Sequence, residues 1–92
     1  MSEYIEIETE MSDDGSQMFF YTNLNLTEGA AEIYDSVSDM EEGSPVAQAL
    51  AVVAGIKRLE IDGRDLTIIR DPDFAWHIIV ADISAALKDF FL

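Results

Sequence analysis

Residues 43–91 read GSPVAQALAVVAGIKRLEIDGRDLTIIRDPDFAWHIIVADISAALKDFF, and every junction in this stretch carries its own signal. Ser44 offers a side-chain oxygen to an unpaired amide, and Pro45 sits where a helix has no use for an N–H, so a helix starts there. Val46, Leu50 and Val53 form its apolar stripe among alanines. Gly55 is placed to close that helix in the left-handed conformation. Ile56–Ile61 and Leu66–Ile69 read as short strands, with Leu59, Ile61, Leu66 and Ile68 facing the core. Asp62-Gly63-Arg64-Asp65 joins them as a hairpin. Asp71 or Asp73 then caps a last helix, in which Trp76, Ile79 or Val80, Ile83, Leu87 and Phe90 recur at helical spacing.

Upstream, Glu3–Thr9 alternates, with Ile5 and Ile7 on one side and Glu6 and Glu8 on the other, as a half-buried strand does. Ser12-Asp13-Asp14-Gly15-Ser16 is a turn by composition. Met18–Leu26 reads as a second strand, antiparallel to the first. Met18, Phe20, Thr22, Leu24 and Leu26 share one of its faces, and Phe19 and Tyr21 take the other. Two readings stay open for Ala30–Tyr34, a short extended segment or a helical turn, while Asp35–Glu42 reads as an exposed acidic loop. The expected order is strand, strand, helix, strand, strand, helix (ββαββα). An antiparallel sheet needs cover on one face, and the two helices supply it. The expectation is therefore an α+β, two-layer sandwich with both helices on one face, forming a single domain over residues 1–92. Val46, Leu50, Val53, Ile68, Trp76, Ile83 and Leu87 are expected to share its core.

The chain has 92 residues, 49% of them hydrophobic, which suffices for one packed core. It contains no cysteine, so disulfides, thiolate zinc sites, cysteine nucleophiles and cysteine-ligated iron–sulfur clusters of its own are excluded. No apolar run approaches the ~20 residues that span a bilayer, and no signal peptide is legible, so the chain reads as cytoplasmic. Nineteen acids face five bases, a net charge of −14. Phosphate-rich partners are repelled by such a surface, which disfavours nucleic acid and anionic membranes. Three readings of the charge remain open: solubility, a high-salt cytoplasm, and attraction of a basic partner.

Several of these segments resemble the Nfu/NifU N-terminal domain family, the module that precedes the cysteine-bearing scaffold domain of iron–sulfur cluster assembly proteins. The resemblance runs through Gly43-Ser44-Pro45-Val46-Ala47-Gln48-Ala49-Leu50, Gly55-Ile56-Lys57 and Asp65-Leu66-Thr67-Ile68. It continues through Asp71, Asp73, Trp76 and Ile83–Phe91, and includes Gly29-Ala30-Ala31-Glu32-Ile33. The first turn departs from it. Where the family has Thr-Pro-Asn-Pro-Asn, this chain has Met11-Ser12-Asp13-Asp14-Gly15-Ser16, and Phe19 stands at a family lysine. The family's cluster ligands are a Cys-x-x-Cys pair in its C-terminal domain, and this chain has no such pair. The resemblance implies an accessory protein-interaction module of iron–sulfur cluster assembly; the absence of cysteine adds the expectation that it does not ligate the cluster and binds no cofactor directly, and the absence of a catalytic motif that it is not an enzyme. Its implied partner is a protein of the assembly machinery.

Site by site, the residues offer less. Asp71, Asp73 and His77 are the nearest approach to a metal set, and they carry the alternative reading of a carboxylate-based iron-binding or iron-delivery protein. Cap and turn chemistry explains each of them singly, and His77 is the sole histidine. Asp13, Asp14, Phe19 and Tyr21 are the candidate partner contacts, because loops on a rigid scaffold carry recognition and exposed aromatics anchor it. Phe19 and Tyr21 either form an open patch or lie beneath the middle loop or the Phe90-Phe91 end; both readings stand. No serine sits in a nucleophile motif.

Overall fold

Alternation sets the sheet, and the hairpins set its register. In this computed structural model residues 4–92 are described. Its elements are β1 (Ile7–Met11), β2 (Gln17–Thr22), β3 (Glu32–Tyr34), α1 (Val37–Glu41), α2 (Pro45–Leu50), β4 (Ile56–Asp62), β5 (Asp65–Arg70) and α3 (Trp76–Phe91). The five strands form one antiparallel sheet in the order β1-β2-β5-β4-β3. Met18 lies opposite Ile68 and Phe20 opposite Leu66, while Ile68 and Leu66 face Leu59 and Ile61 across the other ladder. These six residues are buried together on one face. The helices pack there, because Val46, Ala47, Leu50, Ile79, Ile83 and Leu87 belong to the same core. All seven residues expected in the core are buried. Each fully buried Leu or Ile contributes roughly 1.5–3 kcal/mol of apolar transfer. The expected α+β architecture, with helices on one face of an antiparallel sheet, is the one observed.

The differences are local and have physical reasons. The first strand lies at Ile7–Met11, two residues beyond the expected end, and the expected start at Glu3 lies outside the described residues. Before Ile7 a side chain replaces the ladder: Asn23 Oδ1 accepts from Glu6 N at 3.1 Å and Asn23 Nδ2 donates to Tyr4 O at 3.1 Å. The second strand stops at Thr22, whose hydroxyl donates to Arg64 O at 2.8 Å and accepts from Leu24 N at 3.1 Å. The chain then folds over the β4–β5 turn, where Leu26 N donates to Gly63 O at 2.9 Å and Leu26 is buried. Of the two readings of Ala30–Tyr34 the extended one holds, as Glu32–Tyr34 pairs with β4.

The acidic segment expected to be a loop contains α1. Ser36 caps it, accepting from Asp39 N at 3.1 Å, and Met40 is fully buried. The helix after Ser44-Pro45 starts as expected, with Ser44 Oγ accepting from Ala47 N at 3.3 Å. It ends at Leu50 rather than running to Gly55. A tighter turn, Val53 N to Leu50 O at 3.0 Å, swings Val53 into the core and leaves Val52 exposed. Gly55 is left-handed at φ 96° but precedes β4 instead of capping the helix; a Cβ there would lie 2.8 Å from Phe74 Cβ. Neither Asp71 nor Asp73 caps α3. Its N-cap is Ala75, which makes no side-chain bond, and Asp71 Oδ1 accepts from Asp73 N at 3.0 Å within the preceding turn.

Candidate functional site

The first turn is built around Asp14. Its Oδ1 accepts from Ser12 Oγ at 2.9 Å, Ser16 N at 3.0 Å and Ser16 Oγ at 2.7 Å. These donors hold the carboxylate, the Ser16 amide most strongly, and bring its pKa down to about 2. Ser12 Oγ also accepts from Gln17 N at 3.0 Å, so the two serines and the aspartate add side-chain bonds to the turn's backbone pairs, Ser12 N to Gln17 O at 2.9 Å and Gly15 N to Ser12 O at 3.0 Å. Asp13 lies exposed beside them. The carboxylate that was a candidate contact is thus also the keystone of the loop that displays it.

The turn is tied to α3. Trp76 Nε1 donates to Gly15 O at 2.7 Å, and the Arg70 guanidinium lies 5.4 Å from the Trp76 ring centre. Arg70 also donates to Phe74 O at 2.8 Å. A shallow cleft lined by Asp14, Gly15, Ser16, Ile69, Arg70 and Pro72 opens at this junction. Neither the indole bond nor the Arg70 contact was read from the sequence, and no local signal marks them.

The second surface is the sheet face away from the helices. Phe19 stands between Glu10 and Thr67, and Tyr21 between Glu8 and Asp65. Ile69 follows on β5 beside Gln17, and Ile33 on β3 beside Glu60. Tyr21 is 41% exposed, Ile33 is 52% exposed, and Phe19 and Ile69 are half-buried. Tyr21 Oη donates to Glu10 Oε1 at 3.0 Å, which raises the phenol pKa. Phe91 packs against the core on the helix side, so the C-terminal aromatics do not cover this patch. Period-two alternation in β5 was the signal for Ile69, and β3 had to be recognised before Ile33 could be placed.

Asp71, Asp73 and His77 do not form a ligand set. Among the described residues no three His, Asp or Glu side chains converge to hold a metal ion. Asp73 and His77 are exposed, and Asp71 serves its own turn. At the other end of the helix layer, Leu26, Pro45, Val46, Phe90 and Phe91 line an open groove of about 410 Å³. No helix among the described residues is long and apolar enough to cross a membrane.

The family model described as scaffold protein Nfu/NifU N terminal matches residues 7–92. The mitochondrial NifU-like protein 4 of Arabidopsis thaliana is 28% identical over 86 residues, which is 92% of this chain and 30% of that protein. NifU-like protein 5 of the same plant, also mitochondrial by name, is 29% identical over the same shares. This chain therefore spans about three tenths of the length of these relatives. The solution structure of a NifU-like protein from Saccharomyces cerevisiae superimposes with a TM-score of 0.76 at 21% identity, over 97% of this chain and 82% of that one. The crystal structure of a Staphylococcus aureus protein superimposes with a TM-score of 0.72 at 15% identity, over 89% of this chain and 98% of that one. At those identities the two structures speak to the fold alone. The match over residues 7–92 settles the lineage: the chain belongs to the Nfu/NifU N-terminal domain family.

Proposed function

We propose that this chain is an accessory protein-interaction module of iron–sulfur cluster assembly. It acts through surface contacts, ligates no cluster, and catalyses no reaction. The observation that carries this reading is membership in a family of scaffold-protein N-terminal domains. The division of labour rests on the absence of cysteine, since one histidine cannot replace the thiolates that hold such clusters. The proposed contact surface is the uncovered sheet face with its first turn. Phe19 and Tyr21 supply apolar anchors there, and Glu8, Glu10 and Asp65 surround them. That pairing of aromatic centre and acidic rim suits a basic protein partner. The compartment proposed is the cytoplasm, although the two plant relatives are mitochondrial by name.

Two measurements test the reading. Anaerobic reconstitution of the isolated chain with iron and sulfide should leave no cluster absorbance after desalting; a retained cluster overturns the claim that the chain is no ligand. Affinity capture from the native lysate should recover identified cluster-assembly proteins, and Phe19→Ala/Tyr21→Ala should lose them. Capture that is empty of such proteins, or equal in wild type and variant, overturns the contact.

A further inference from the structure

Among the described residues β1 is one edge of the sheet, paired only with β2. Sheet edges are usually protected by charged side chains, lysine above all, or by proline, a bulge or very short length. β1 has no lysine, proline or bulge: its sequence is IETEM, its register with β2 runs unbroken through five pairs, and its charges, Glu8 and Glu10, guard it against an acidic strand but not a basic one. The opposite edge, β3, has only three residues. The direction of the free groups on β1 follows from the antiparallel alternation. Thr22 N donates across to Arg64 O and Ser12 N donates to Gln17 O. Glu8 and Glu10 therefore spend their backbone groups on β2, while those of Ile7, Thr9 and Met11 point outward. No hydrogen bond occupies these outward groups among the described residues. The side chains sort the same way. Glu8 and Glu10 lie on the uncovered face, and Ile7, Thr9 and Met11 on the helix face, where Met11 is 51% exposed.

We propose that β1 accepts an extended basic peptide segment as a sixth, edge strand of the sheet. Main-chain bonds to Ile7, Thr9 and Met11 supply the pairing, and alternate side chains supply the choice. On the uncovered face, lysines or arginines of the incoming strand oppose Glu8 and Glu10. Those positions fall at its non-hydrogen-bonded pairs, where opposed side chains come closest. On the helix face, its apolar residues extend the core over Ile7 and Met11. The net charge of −14 draws a cationic segment and repels an acidic one. The proposal does not depend on the process assigned above.

The test is an NMR titration of the isotopically labelled chain with a short capped peptide alternating lysine and valine. Saturable shifts centred on the Ile7, Thr9 and Met11 amides are expected. Analogues N-methylated at every second residue separate strand pairing from charge: one methylation frame should abolish binding and the other preserve it. Glu8→Lys/Glu10→Lys should weaken the unmethylated peptide about tenfold or more, from two lost cross-strand ion pairs. Glu41→Lys/Glu42→Lys, on and beside α1, should weaken it less. Shifts spread over the whole acidic surface, equal binding of both methylated frames, or equal weakening by the two charge reversals each overturn the proposal.

Discussion

Trp76 shows what a single residue contributes that spacing alone does not reveal. Its place in the core was legible, because it begins an i, i+3, i+7, i+11 stripe with Ile79, Ile83 and Leu87. Its bond to Gly15, 61 positions away, was not, since no pattern along the chain encodes so distant a meeting. The two roles separate by mutation. Trp76→Ala, at a site 7% exposed, should cost roughly 3–5 kcal/mol in urea unfolding, whereas Trp76→Phe should cost roughly 1 kcal/mol for the indole bond. Equal losses in the two variants would refute the separation. Asp14 makes a pH prediction. Its folded pKa lies near 2, below the ordinary 3.8, so it stabilises the fold above pH 3.8 and loses that effect as pH falls towards 2. The melting-temperature gap between wild type and Asp14→Ala should be constant above pH 5 and shrink between 4 and 2. A gap that stays constant down to pH 2 would show that the turn does not depend on the ionised carboxylate.

The elements that were legible carry strong start or turn chemistry, and those missed are short. Ser44-Pro45 fixed the start of α2, and the pair around Gly63 fixed the β4–β5 hairpin. In the hairpin the loop proper is Gly63-Arg64, since Asp62 pairs with Asp65, and Gly63 takes a φ of 63°. α1 escaped notice because five residues are too few for periodicity and only Met40 turns inward among acids. The only signal was Ser36 followed three residues on by Asp39, an N-terminal pattern that also suits a loop. If α1 is an integral part of the core, Met40→Ala should destabilise by roughly 2–5 kcal/mol and Ser36→Ala by roughly 0.5–2 kcal/mol. Chemical denaturation with an unchanged m-value checks both, and a neutral Met40→Ala would make α1 a peripheral flap. Gly43 belongs to the same unit. A Cβ there would come within 2.7 Å of Tyr34 Oη, and that hydroxyl accepts from Ser44 N at 3.2 Å, so the glycine of the family-like motif makes room for a β3 side chain.

At the scale of the molecule, among the described residues no charged side chain is buried and the only ion pair is Arg58 with Asp35 at 3.0 Å, itself exposed. The acids of the described residues therefore share the surface with almost no internal neutralisation. Self-repulsion of this kind is relieved by screening, whose range falls from roughly 30 Å at 0.01 M to 10 Å at 0.1 M salt. The melting temperature should rise steeply over that span of sodium chloride and level off above it; a flat profile would remove the high-salt reading of the charge. The fold class was legible from the sequence because patterning and turn signals agree locally. The order of strands was not, because it depends on which hairpin packs beside which. The contact between α3 and the β1–β2 turn has an optical consequence. The chain has a single tryptophan, and its ring touches the first turn through a hydrogen bond and a guanidinium through its face. Intrinsic emission is therefore a built-in, label-free reporter of that turn, and any partner that seats there or pulls it from α3 announces itself in the colour and intensity of one indole.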